Sequence, residues 1–238
     1  MQASNYKVLL FGAAGAIGKA MHEACKAQGW IVIPTTRTAD VSMAGSDPYV
    51  TVDPFDKAFD PSCLDGHGPF AAVIWAQGAN LNDSIYDVDL ERHMEVYGAN
   101  CLFVIATLKW LLDRRLLARP SRLVVISSIW QRLARQSKLS YCVSKAALQG
   151  LVLSAAADLA KDGHLINAIL PGALDTPMTR RSLAPDQLAT LKRATYFDRL
   201  PTLDDVANTA VFLCSERNTG LTGQFLEADL GFSHVRII

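Results

Sequence analysis

The chain has 238 residues, of which 50% are hydrophobic, enough for one large domain with a sizeable buried core. Lys and Arg (23) balance Asp and Glu (23), and with a pI near 6.9 no global field recruits nucleic acid or an anionic membrane surface. Five scattered cysteines without a C-x-x-C, and five histidines without an H-E-x-x-H, argue against a disulfide framework and a metal site and fit a reducing cytoplasm.

The N-terminus "MQASNYKVLLFGAAG" holds a four-residue apolar run, too short for a signal-peptide core or a membrane span, so no export is expected. "YKVLLF" (6–11) reads as a strand that breaks into glycines, and "AIGKAMHEACKAQG" as a helix stopped by Gly29. "WIVIPTT" (30–36), "YVTV" (49–52) and "FAAVIWAQG" (70–78) read as further strands. A long helix follows at about 90–117, then a strand at 122–128, a helix at 141–161, a strand at 165–172, a helix at 203–216 and a last strand at 223–229. Parallel neighbours need long crossovers, so this alternation predicts an α/β fold: a Rossmann-like, doubly wound parallel sheet with helices on both faces. No repeat or linker divides 1–238, and a single domain is expected, with a mobile substrate flap at about 174–202 where the alternation lapses.

"FGAAGAIG" places Gly12, Gly15 and Gly18 at every third position between the first strand and the first helix. Glycine permits the tight turn and lets backbone N–H groups approach a pyrophosphate, whose charge a helix N-terminus favours. The end of the second strand selects the dinucleotide. "IPTTRT" offers Thr36, Arg37 and Thr38, with Lys19 nearby, in place of an acid, which suits the 2′-phosphate and predicts NADP(H) over NAD(H). Asp53 either accepts a bond from the adenine amino group or caps the turn "DPFD".

"SYCVSKAALQG" (140–150) sets Tyr141 and Lys145 four positions apart, about 6 Å of helical rise, so both project from one face. Ser128 ends a strand, and parallel strands carry ligand sites at their carboxyl ends, beside the next helix. The three side chains can therefore meet in one cleft. A tyrosine titrates near ~10 and exchanges protons near neutral pH only if its pKa falls, which a nearby ammonium and a cationic nicotinamide ring both favour. The serine hydroxyl can hold the reacting oxygen.

With these elements in order, the chain resembles a short-chain dehydrogenase/reductase over nearly its full length. "YCVSK" matches the family's Y-x-x-x-K, which makes Tyr141 the general acid/base and Lys145 the residue that lowers its pKa and binds the nicotinamide ribose. Ser128, the second serine of "VVISS", stands where the family's substrate-orienting serine stands, and Asn100 in "GANCLFV" where a helix asparagine supports a water relay to the lysine. "LPGALDTPM" matches P-G-x-x-x-T-P-M, implying that Ile169 and Thr176 lie against the nicotinamide carboxamide. The resemblance extends the cofactor-binding set to Ala14, Ala16, Ile17, Ala76, Gly78, Pro171 and Gly172. Several positions depart from the family pattern: Phe11 precedes the first glycine, "WAQG" (75–78) replaces N-N-A-G, Gln131 follows the serine pair in place of glycine, and Asp229-Leu230-Gly231 replaces D-G-G. None of these is Ser128, Tyr141 or Lys145.

The implied reaction interconverts a secondary alcohol and a ketone on a small-molecule substrate. Two other readings stay open, a non-catalytic NADP-binding sensor or scaffold and a sugar-nucleotide epimerase or dehydratase. Arg132, Arg135 and Lys138 between Ser128 and Tyr141, with Arg180, Arg181, Lys192 and Arg193 in the flap, either face an anionic substrate or are solvated surface charge. Trp130 offers an apolar wall. The helix after Tyr141 is apolar around much of its surface, and in similar proteins it packs against a second subunit, so a homotetramer or homodimer is expected.

Overall fold

The structure is a computed structural model and describes residues 5–38, 48–176, 179–180 and 184–234. Its strands are β1 (Lys7–Phe11), β2 (Ile31–Thr36), β3 (Val50–Thr51), β4 (Phe70–Trp75), β5 (Leu117–Ile126), β6 (Leu165–Pro171) and β7 (Phe225–Ala228). They form one parallel sheet in the order β3-β2-β1-β4-β5-β6-β7. The α-helices are α1 (Ala16–Ala27), α2 (Leu90–Tyr97), α3 (Phe103–Asp113), α4 (Leu139–Leu159), α5 (Pro185–Arg193) and α6 (Leu203–Cys214).

Strand side chains alternate between faces, and β1 shows it: Val8 and Leu10 enter one core layer with Met21 of α1 and Ala210 of α6, and Leu9 and Phe11 enter the other with Val104 of α3 and Leu148 of α4. The sheet is doubly wound, as the alternation predicts. Chain order reverses between β1 and β4, and the crevice beyond their carboxyl ends is where such sheets bind ligands.

Four stretches differ from the sequence reading. The helix expected at 90–117 is α2 and α3 joined by a π-helical turn, Gly98–Leu102, which adds so little to the phase that apolar periodicity reads straight through it. β5 begins at Leu117, before Pro120, and pays for that proline with a register shift between Phe70 and Ala72. The strand at 49–52 shrinks to Val50–Thr51. Within 174–202 lies α5, opened by Pro185 and by Gln187 reaching back to the Ala184 N–H at 3.1 Å. No α5 side chain is buried, so no apolar stripe announces it. The stretch after α5 is anchored: Thr195 is buried, its hydroxyl donates to Arg199 O at 2.9 Å, and Tyr196 N donates to Leu230 O at 2.9 Å.

The departures near β1 and β4 form one aromatic unit. Phe11 stacks on Trp75 with centroids 5.8 Å apart and meets Phe103 edge-on at 5.5 Å, and Trp75 Nε1 donates to Thr107 Oγ1 at 2.8 Å. Packing thus ties β4 to β1 and α3 where amide side chains are missing. Residues Leu90–Asp113 and Leu139–Asp162 are long and apolar enough to cross a membrane by length and composition, but here both lie on the sheet and carry the buried polar groups Asn100, Ser144 and Lys145.

Candidate active site

The turn after β1 is built by close approach. Gly12 has φ +74°, and a Cβ there would lie 2.5 Å from Gln77 N; a Cβ on Gly18 would lie 2.2 Å from Gly12 O. Gly15 is under no such pressure, its nearest contact being 3.5 Å. It is instead the N-cap of α1, with no side-chain cap and no acid in the first turn, which leaves helix N–H groups for an anion. Ala14, Ala16 and Ile17 complete this turn at partly or fully exposed positions.

A cavity of about 280 Å³ opens beside it, lined by Gly12, Gly15, Thr36, Arg37, Ala76 and Gly78 among others. Gln77 also lines it, with a buried Oε1 that has no hydrogen-bond partner. Backbone donors, small residues and an unpaired amide oxygen fit a dinucleotide. Larger cavities of about 390 and 460 Å³ lie around Arg119 at the opposite end of the strands, away from Tyr141. Arg37 is exposed with no acidic partner among the described residues. Asp53 takes the capping role, accepting the Phe55 N–H at 3.0 Å, and also lines a small cavity with Arg37.

Asn100 sits in the π-helical turn and is 1% exposed. Its Oδ1 accepts Ala79 N at 2.7 Å, and its Nδ2 donates to Ala79 O at 3.0 Å and to Ser144 Oγ at 2.8 Å. The loop after β4 is thereby fixed to α4. Gly78 lies so close that a Cβ would come 2.8 Å from Asn100 Oδ1 and 3.6 Å from Lys145 Nζ.

Ser128, 6% exposed, caps the short turn Ile129–Gln131 by accepting Trp130 N at 3.3 Å. Gln131, standing where similar proteins have glycine, accepts the Ser127 hydroxyl at 2.6 Å. Lys145 is buried, its Nζ donating to Ile126 O at 3.0 Å and lying 5.7 Å from the Tyr141 ring centroid. The three predicted residues therefore do converge. The phenol differs from expectation: burial raises the Tyr141 pKa, and Ser128 against it pulls it back only in part. Burial lowers Lys145 to about 8, which leaves it largely charged at neutral pH.

Pro171 is buried at the end of β6, and Gly172 follows, where a Cβ would meet Asp229 Cβ at 2.9 Å. Thr176 Oγ1 accepts Thr179 N at 3.1 Å; Pro177 and Met178 of the same motif lie outside the described residues. Ile169 is a correction. It is fully buried mid-strand in β6, in the core layer of α1 and α6, and Leu174 is the aliphatic side chain of the loop that follows.

Three of the basic candidates for substrate contact, Arg132, Lys138 and Arg180, have side-chain partners within the chain. Arg132 pairs with Glu227 and lies over the Phe225 ring, and Arg180 makes a two-pronged pair with Asp175 at 2.7 and 2.8 Å. Lys192 and Arg193 end α5, where a cation suits the helix dipole. Lys138 is buried, Arg135 is exposed, and Arg181 lies outside the described residues. Trp130 meets Phe232 edge-on at 6.2 Å, giving an apolar wall next to Ser128.

The sequence reading missed the anchor of α4. Asp83, 5% exposed, accepts Ser140 N at 3.0 Å and the Ser140 hydroxyl, and its carbonyl accepts Leu139 N at 3.1 Å. His93 Nδ1 bonds the same hydroxyl at 2.8 Å. The signal was the polar run "NLND" (80–83) between a strand and a helix.

A family model described as Enoyl-(Acyl carrier protein) reductase matches residues 61–233. The uncharacterized oxidoreductase YmfI of Bacillus subtilis is 26% identical over 240 residues, covering 96% of this chain and 99% of that protein. The 3-oxoacyl-[acyl-carrier-protein] reductase FabG of Escherichia coli is 26% identical over 233 residues, covering 94% and 95%. The solved structure of ElxO with NADP bound shares the fold, with a TM-score of 0.85 at 22% identity, covering 96% and 98%.

Lys145 yields a stability prediction. Its folded pKa near 8 lies below the unfolded value of ~10.4, so the unfolded state binds the proton more tightly and the folded state bears the full penalty below about pH 8. Lys145→Met should therefore unfold at higher urea at pH 7, a gain of about 2 kcal/mol after the lost bond to Ile126 O is counted. The gain should shrink as the pH rises through 8 towards 10. A variant less stable than the parent at neutral pH would contradict this.

Proposed function

The chain belongs to the short-chain dehydrogenase/reductase family and is an NAD(P)-dependent oxidoreductase, and from that premise we propose that it interconverts a secondary alcohol and a ketone with NADP(H). The observation that carries this reading is the convergence of Ser128, Tyr141 and Lys145 beside the glycine-lined cavity.

In the reducing direction Ser128 Oγ donates a hydrogen bond to the carbonyl oxygen and Tyr141 Oη gives it a proton, leaving a phenolate that the Lys145 ammonium stabilises. In oxidation the phenolate takes the proton back. The dinucleotide, when bound, supplies or accepts the hydride at carbon. Gly12, Gly15 and Gly18 with Ala14, Ala16 and Ile17 would hold its pyrophosphate, and Lys145 its nicotinamide ribose. Ala76, Gly78, Pro171, Gly172 and Thr176 would line the remaining path. Asn100 would keep Lys145 and the loop at Gly78 in register.

Thr36, exposed Arg37 and Thr38 stand at the end of β2 without an acid, which favours the 2′-phosphate of NADP, the cofactor in ElxO. The substrate is a small molecule. With Arg132 and Arg180 paired and Lys138 buried, an anionic group would find Arg135 and the end of α5, while Trp130 walls the reacting carbonyl. Helix α5 and the described residues around it would cover the substrate. Five free cysteines suit a cytoplasmic setting. Leu90 (74% exposed), Met94, Ile105, Val143 and Leu153 leave apolar surface on α2, α3 and α4, which supports a homodimer or homotetramer.

NADPH should bind at least tenfold tighter than NADH by fluorescence titration, with Arg37→Asp reversing the order; equal dissociation constants in the parent protein would refute the preference. Tyr141→Phe should keep the fold and the NADPH affinity and lose nearly all ketone reduction, and parental kcat in that variant would refute the chemistry. Light scattering should give a multiple of the 25.9 kDa chain mass, and a monomer at micromolar concentration would contradict assembly.

A further inference from the structure

Lys138 occupies a place that electrostatics disfavours twice. It is 8% exposed, and it caps the N-terminus of α4, where the helix dipole repels a cation. Its bonded partners are neutral: Nζ donates to Asn80 Oδ1 at 2.8 Å, to Asn82 Oδ1 and to Leu81 O at 3.5 Å. The nearby carboxylate of Asp83 is taken up by Ser140. The ammonium also lies over the face of the Tyr141 ring, 5.9 Å from its centroid, with Lys145 at 5.7 Å. Lys138 precedes Tyr141 by three positions and Lys145 follows by four, so two buried ammonium groups from either side in sequence approach one ring.

We propose that Lys138 is a positioning residue for proton transfer, a second cation that joins Lys145 in favouring the phenolate of Tyr141. The proposal rests on the proton-donor role of Tyr141. Amide oxygens hold the ammonium in place without cancelling its charge, as a carboxylate would. That charge attracts the tyrosine side chain far more strongly once Oη has lost its proton, so it acts on the reacting state more than on the resting one. The groups facing this pair are Arg135, Cys142 and Asp83 around Lys138, Ser128 and Cys142 around Tyr141, Cys101 beside Lys145, and His93 on the Ser140 hydroxyl. Burial and Arg135 lower the Lys138 pKa, while Cys142 and Asp83 oppose the fall.

The test needs no turnover. Tyrosinate absorbance is titrated in the NADP⁺-bound protein, and subtracting the same protein carrying Tyr141→Phe isolates this phenol among the six tyrosines. Lys138→Gln, which keeps a donor for Asn80 and Asn82, should raise the Tyr141 titration by roughly one pH unit and leave the NADPH dissociation constant within about twofold. Lys138→Arg should restore most of the shift. If Lys138→Gln does not fold, Asn82→Asp, which neutralises the ammonium in place, should shift the titration in the same direction. A parental titration in the folded variant would overturn the proposal and show a purely structural lysine. Parental ketone reduction by Tyr141→Phe would instead overturn the proton-donor role, whatever the titration shows.

Discussion

A single side-chain amide holds the crevice together. Asn100 satisfies both the N–H and the carbonyl of Ala79 and, with its remaining donor hydrogen, reaches Ser144 one turn from Tyr141. The loop after β4 therefore has no freedom to drift from α3 or α4. Gly78 must be glycine because the amide oxygen lies where its Cβ would be, and Gly12 must be glycine because the same loop, at Gln77, presses on the turn after β1. The phosphate turn, the cavity and the phenol are parts of one packed assembly. A buried polar network of this kind rigidifies a site only when every member is satisfied, as each bonding atom of the Asn100 amide is here.

The neighbouring aromatic unit does the same work by other means. Phe11 on Trp75 and Phe103 supplies the strand-to-helix tie beneath the crevice, and Trp75 is anchored to Thr107. The three rings are nearly inaccessible to solvent, so the tie is tight though it carries little directional bonding. Seen from the sequence, Phe11 and "WAQG" are losses. Seen in the fold, they compensate one another.

That contrast shows what could be read in advance. The Tyr141–Lys145 interval and the Gly12–Gly18 spacing are local, set by the pitch of one helix and by Gly12 O against Gly18, whereas the exclusion at Gly12 itself comes from Gln77 in the loop after β4. The doubly wound order was legible because strand-helix alternation leaves few topologies open. What escaped depends on distant partners. Lys138 and Arg132 could be read only as substrate contacts or as surface charge, because Asn80 and Asn82 stand more than fifty positions before Lys138 and Glu227 lies on β7. Ile169 shared a motif's neighbourhood, but mid-strand alternation points its side chain into the core. Helix α5 escaped because it buries nothing, leaving capping as its only signal.

Burial is what makes the site both costly and useful. It raises the phenol of Tyr141 and lowers Lys138 and Lys145, so each group is pushed towards neutrality while the protein is alone. The same low dielectric strengthens every attraction between an ammonium and a phenolate once that charge appears. A surface-exposed Tyr–Lys pair at identical spacing would titrate normally and gain little from its neighbours. The fold can bear the penalty because the groups sit over a sheet with a large apolar cluster on each face. The amide oxygens of Asn80 and Asn82 and the carbonyl of Ile126 are the compromise: they bond the ammonium groups well enough to keep them buried, and weakly enough to leave their charge for the reacting phenol.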